Sequence, residues 1–213
     1  MKTRAPARRG SGLLLWMQKV YGDKAPEAWQ KLAAKTVTVT KGWSEAYGLF
    51  LKGESDLVLS YTTSPAYHVI EEKKDNYAAA AFTEGHYLQV EVAAKTAASK
   101  QQKLADEFLN FMVSPAFQNA IPTGNWMYPV TQVTLPEGFN SLVKPQTALE
   151  FTPQQVATER QNWINAWLRQ PAANSTLAVP RAHGHRVDGG RRPGGVSGAV
   201  AERARIFVVG TAQ

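Results

Sequence analysis

The chain has 213 residues, 44 % of them hydrophobic, enough for one large or two small domains with a sizeable core. It contains no cysteine, which excludes disulfides, thiolate metal centres and a cysteine nucleophile. The net charge of +7 is carried by the ends, with Lys2, Arg4, Arg8 and Arg9 at one and arginines from Arg181 to Arg205 at the other; an argument for nucleic-acid binding would rest on those flanks alone.

Three stretches follow from composition: a basic flank over 1–12, an ordered α/β domain over 13–170, and an Arg/Gly-rich tail over 171–213 expected to lack regular structure. The apolar run Leu13–Met17 after the basic flank is too short for a signal peptide and ends at Gln18 and Lys19, so no export signal is read. No segment approaches the ~20 apolar residues of a membrane span.

In chain order, Leu13–Val20 and Pro26–Ala34 have helical apolar spacing. Val37–Thr40 alternates and is β-branched, predicting a strand. Ser44 is placed as the N-cap of a helix reaching Lys52, where Gly53 stops it. Asp56–Ser60 predicts a second strand, and Pro65 the first turn of a helix ending near Glu72. Tyr87–Val92 predicts a returning strand. Ser99–Val113 predicts an amphipathic helix with Leu104, Phe108, Leu109, Phe111 and Met112 on its apolar side. Ser114 and Pro115 start a short helix through Ala120, and 122–150 reads as irregular. Thr152, Pro153 and Gln155 form a capping-box opening for a helix with Val156, Trp163, Ile164 and Trp167 on its buried stripe, ending near Gln170. The tail abandons lysine for arginine, as expected of a segment translated in a different reading frame, and regains an apolar run only at Ile206–Val209.

The densest chemistry lies between Lys41 and Tyr67. Trp43 is placed in a loop after one predicted strand, and Tyr61, Thr62, Thr63, Ser64 and Tyr67 follow the next. Loops after successive parallel strands open on one sheet edge, where α/β folds hold ligands. Aromatic faces beside hydroxyls suit a flat cationic organic molecule with a polar or phosphorylated tail.

Bland alternatives stand beside these readings. Trp43 could pack on the sheet edge, Tyr61–Ser64 could be an ordinary strand-end turn, Tyr67 could belong to the core, and Trp126 could anchor a Gly/Pro-rich loop. Trp16, Trp29, Trp163 and Trp167 fit helix stripes and are assigned to the core. His183 and His185 lack a third ligand at sensible spacing, so no metal site is predicted. His68 and His86 show no paired acid pattern, and Glu71, Glu72 and Asp75 read as a solvated helix end. No phosphate loop, nucleophile elbow or carboxylate pair points to catalysis.

The segments Gly12–Gly22, Thr36–Tyr47, Asp56–Tyr67, Phe111–Gln118 and Thr123–Pro129 resemble the bacterial periplasmic thiamine-binding proteins, the soluble receptors of ATP-driven thiamine importers. The resemblance covers roughly 12–170. Phe111–Gln118 marks the wider class of solute-binding proteins; Gly42-Trp43-Ser44 with Tyr61–Tyr67 points to thiamine.

The resemblance implies a type II periplasmic-binding-protein-like α/β fold, represented mainly by one lobe and its returning segments, with the first lobe largely absent. It implies aromatic contacts from Trp43, Tyr67 and Trp126 to the thiamine rings, and polar contacts from Tyr61, Thr62, Thr63 and Ser64 to the hydroxyethyl or phosphate end. A family Ser-Thr pair aligns here with Ala7 and Arg8. The implied partners are thiamine or its phosphates and a membrane permease, in the periplasm, with no cofactor, no metal and no enzymatic activity. Three rival readings are a non-functional fragment of that family, a pyrimidine-directed enzyme on a similar scaffold, and a nucleic-acid binder acting through the basic flanks.

Overall fold

The computed structural model describes residues 8–170 and 204–208. Helix α1 (Arg8–Tyr21) starts further upstream than its apolar spacing predicts, and a 3-10 turn at Gly22–Lys24 leads into α2 (Ala25–Ala33). The last long helix, α8 (Pro153–Leu168), begins at the expected capping box: Thr152 accepts from the Gln155 N–H and the Gln155 side chain accepts from the Thr152 N–H. Together they enclose the largest core, built from Leu14, Trp16, Met17, Trp29, Tyr87 and Ile164, with Trp163 and Trp167 packed at its margin.

Strands are shorter than the sequence predicts. Asp56–Ser60 contracts to β1 (Leu59–Ser60), and Tyr87–Val92 to β3 (His86–Tyr87), prolonged only by Leu88, whose N–H donates to the Leu149 carbonyl at 2.8 Å; 89–92 form no strand. Val37–Thr40 is not a strand, and Val37 and Val39 are exposed. β-branched alternation describes a side chain that fits a sheet, but a strand also needs a neighbour, and no described strand lies beside this one.

Two parallel sheets form. In one, β5 (Ala204–Val208) lies between β1 and β2 (Tyr77–Ala79), with Leu59 opposite Phe207 and Ala78 opposite Arg205. The expectation of an irregular tail is therefore corrected for these five residues, which include most of its apolar run. The metal-pair question at His183 and His185 lies outside the described residues. In the second sheet β3 pairs with β4 (Ala148–Leu149), which the sequence places in irregular chain. Gly85 leads into β3 with φ +100, and a Cβ there would stand 2.7 Å from the Thr147 carbonyl oxygen, so the approach requires glycine. The Trp16 indole N–H donates to the Gly85 carbonyl at 2.9 Å and ties this sheet to α1.

The remaining helices are α3 (Trp43–Leu51), α4 (Ser64–Glu72), α5 (Gln102–Met112), α6 (Pro115–Gln118) and α7 (Ile121–Gly124). Helix α5 differs most from expectation. Its apolar side is present, but Leu104, Phe108 and Phe111 are exposed and no residue of the helix is buried.

Candidate functional site

The predicted site residues other than Trp126 stand at or near the starts of two helices. Helix α3 opens at Trp43, with Gly42 at the N-cap in extended conformation. The cap is thus Gly42 where the sequence suggests Ser44, and Trp43 is the first helical residue rather than a loop residue. Two bonds fix this entry: the Thr40 hydroxyl donates to the Gly42 carbonyl at 2.7 Å, and the Lys41 N–H donates to Glu45 at 3.3 Å. Trp43 then meets Tyr47 one turn later, with ring centroids 4.6 Å apart, as i,i+4 neighbours on a helix do.

Helix α4 opens after β1 through the turn Tyr61–Thr63. Pro65 sits in its first turn, where a missing N–H costs nothing. The Ser64 N–H donates to the Tyr61 carbonyl at 3.0 Å, the Ser64 hydroxyl accepts the Tyr61 N–H at 3.2 Å, and the Ser60 and Ser64 hydroxyls are bonded to each other at 2.5 Å. Ser64 and Tyr67 therefore belong to the helix. Tyr67 is 41 % exposed, which corrects the alternative of a core tyrosine.

Trp126 follows α7 with φ +53, a left-handed conformation that a bulky residue adopts only when its surroundings hold it there. The Thr63 hydroxyl donates to its carbonyl at 2.5 Å, and the Tyr67 ring meets its indole edge-to-face with centroids 5.2 Å apart.

These contacts join the three aromatic residues into one continuous series. Trp43 packs on Tyr47; Tyr47 stacks on His68 at 5.9 Å and 13°; His68 meets Tyr67 edge-on at 5.3 Å; Tyr67 meets Trp126. Trp43 and Tyr67 are thus linked through two intervening rings rather than stacked on each other.

Of the four polar residues predicted for the ligand tail, three are engaged within the protein. The Tyr61 hydroxyl accepts from Gln89 at 2.7 Å, Thr63 holds Trp126, and Ser64 braces the turn. Thr62 is fully buried, and its hydroxyl has no hydrogen-bond partner among the described residues.

The sequence reading misses His68 and Glu72. His68 is fully buried; its Nδ1 lies 2.7 Å from Glu72 Oε2 and its Nε2 lies 2.7 Å from the Tyr47 hydroxyl. Glu72 is therefore not a freely solvated helix end. The His68 hydrogen bond holds its carboxyl below the usual carboxylate range, with Lys74 at 3.5 Å adding to the effect. The i,i+4 spacing of His68 and Glu72 is the signal that could have revealed the pair. No group of three or more metal-ligating side chains occurs among the described residues.

Residues 9–119, just over half the chain, match the bacterial extracellular solute-binding proteins. The chain belongs to that family. A solved structure of a periplasmic thiamin binding protein superposes on this solute-binding protein with a TM-score of 0.74 and 78 % identity, covering 78 % of this chain and 52 % of the other. The fold is thus periplasmic-binding-protein-like. Thiamine-binding periplasmic proteins of Salmonella typhimurium and Escherichia coli are 82 % and 81 % identical over 160 residues, 75 % of this chain and 49 % of theirs. That of Haemophilus influenzae is 51 % identical over 160 residues. The solute-binding protein described here spans about half the length of the curated relatives it matches.

Proposed function

We propose that this chain binds thiamine and its phosphates as the substrate-binding component of an ABC-type importer, delivering them in the periplasm to a membrane permease. One observation carries the reading. The aromatic series from Trp43 to Trp126 begins and ends on residues suited to a cationic ring, in a chain 78–82 % identical to proteins that carry thiamine in their names. A thiazolium ring over an aromatic face gains roughly 0.5–2 kcal/mol per contact when desolvated. The amino end of α4, at Ser64, lies one turn before Tyr67 of the series. Helix amino ends favour anions, which matches a phosphorylated tail.

The site is a binding site in this reading. The His68–Glu72 pair beside it centres on a fully buried imidazole, enclosed by Tyr47, Tyr67 and Tyr77. It has no approach for a substrate bond. Nucleic-acid binding through the flanks predicts affinity that falls steeply with salt; a ring-stacking site predicts a weak salt dependence for unphosphorylated thiamine.

The test is calorimetric titration of the full chain with thiamine, thiamine monophosphate and thiamine diphosphate. Saturable one-to-one binding, lost on Trp43→Ala, is expected. A folded chain that takes up none of the three is a family fragment without the function.

A further inference from the structure

We propose that His68 is a positioning residue of the aromatic site, a buried imidazole that holds Trp43 and Tyr67 at their mutual angle through hydrogen bonds to Tyr47 and Glu72. The proposal rests on the ligand reading above for its functional meaning, but its geometry stands independently.

Three observations lead to it. First, His68 sits between the two halves of the aromatic series: Tyr47 lies parallel to it and carries Trp43, while Tyr67 meets it edge-on and carries Trp126. Second, Trp43 belongs to α3 and Tyr67 to α4, so their relative placement requires something that ties one helix to the other. The Tyr47–His68 hydrogen bond at 2.7 Å is such a tie. Third, the ring cannot turn about its own axis without breaking bonds on both sides, because Glu72 holds the opposite nitrogen at 2.7 Å. Tyr77 adds a face contact at 4.0 Å.

The proton positions follow from donor and acceptor inventory. An ionised carboxylate only accepts, so Nδ1 carries a hydrogen and donates to Glu72. In the neutral imidazole, Nε2 then has no hydrogen and accepts the Tyr47 O–H. Glu72 thereby selects the tautomer that Tyr47 can bond. Removal of the carboxylate frees the other tautomer, which presents N–H to the phenol oxygen and loses the directional match. A ring so constrained acts on the ligand only through its neighbours, since it is itself shut off from solvent.

The experiment uses the full chain labelled with 5-fluorotryptophan, with the Trp43 resonance assigned from Trp43→Phe. Variants Tyr47→Phe, Glu72→Ala and Glu72→Gln leave the imidazole in place, so they do not depend on a His68 variant folding. The expected result is that Tyr47→Phe and Glu72→Ala shift or broaden the Trp43 signal while Trp29, in a separate core, stays put; that Glu72→Gln, which keeps an acceptor, restores it; and that the imidazole nitrogen shifts place the proton on Nδ1. Thiamine affinity falls in parallel by about fivefold, the size of one hydrogen bond. If the wild type takes up no thiamine but Trp43 responds as stated, positioning stands and the ligand reading fails. If thiamine binds and neither the Trp43 signal nor the affinity responds to Tyr47→Phe and Glu72→Ala, or the proton is on Nε2, positioning is overturned.

Discussion

The Thr63 hydroxyl donates to the Trp126 carbonyl at 2.5 Å across 63 residues of sequence, binding the start of α4 to a left-handed backbone position beyond α7. A side chain predicted from sequence to touch the ligand is thereby employed in holding another residue of the same predicted set. Thr63→Val keeps the shape and removes the donor. It is expected to lower stability by about 1 kcal/mol and to weaken thiamine binding several-fold, whereas Thr63→Ser retains both. Urea unfolding and titration calorimetry on the two variants check this.

Trp43 and Tyr67 differ in what surrounds them. Trp43 packs against the core of Tyr47, Phe50 and Val58, while Tyr67 is exposed on one side. Trp43→Ala is expected to lose stability and affinity together, with about 1–3 kcal/mol lost from binding if the ring is an anchor. Tyr67→Ala is expected to lose affinity with a smaller stability loss. Parallel unfolding and binding measurements separate the two; equal stability losses would count against the described environments.

Acid sensitivity follows from Glu72. Its carboxyl ionises below the ordinary range in the folded chain, chiefly because it accepts the His68 hydrogen bond. A depressed folded value means the stabilisation is present above the unfolded pKa and is lost as the pH falls through the folded one. Stability is expected to drop as solution moves from neutral to below the usual carboxylate range, and Glu72→Gln is expected to flatten that slope. Urea midpoints measured across the acid range read the effect directly.

Burial acts in the opposite sense on Tyr87 and Tyr128, whose phenols are pushed above their usual value. A raised folded value means the unfolded chain ionises first. Stability is therefore expected to fall as the pH rises above the ordinary phenol range, and Tyr87→Phe is expected to reduce that loss, at the expense of the bond its hydroxyl accepts from the Phe151 N–H. Alkaline unfolding followed by tyrosinate absorbance is the measurement.

Helix α5 supplies a contrast in packing. Leu104 and Phe108 are more than half exposed, so Leu104→Ser is expected to change stability by less than about 0.5 kcal/mol. Leu14 is buried in the main core, and Leu14→Ala is expected to cost about 2–5 kcal/mol. Matching losses at the two positions would contradict the packing described.

Helices are legible in this sequence because their signals are local. The Thr152–Gln155 capping box, Pro65 in a first turn and Ser114 capping α6 all appear within a few residues of the elements they start. Strands depend on neighbours far away in the chain, and this is where reading fails. Val37–Thr40 has strand composition without a described partner, whereas Ala204–Val208, in a stretch of unpromising composition, lies between β1 and β2. The same distinction governs the site. Trp43, Tyr61–Ser64, Tyr67 and Trp126 stand out as residue types in characteristic segments. His68 shows no paired acid pattern in the sequence and Glu72 reads as part of a solvated helix end with Glu71 and Asp75, because the burial of the imidazole comes from Tyr47 and Tyr77 on other elements. Amphipathicity likewise predicts the apolar side of α5 but cannot say what covers it. The β5 pairing also means that removing 171–213 would remove a central strand, so tests of the flanks are better made by varying salt than by truncation.

The most direct measurement is an isotope-edited NMR experiment on the full chain with bound thiamine, recording nuclear Overhauser contacts between ligand ring protons and assigned aromatic side chains. Contacts from one thiamine molecule to both Trp43 and Tyr67 are predicted. Bound thiamine that shows contacts to neither, with its neighbours elsewhere in the molecule, would contradict the account.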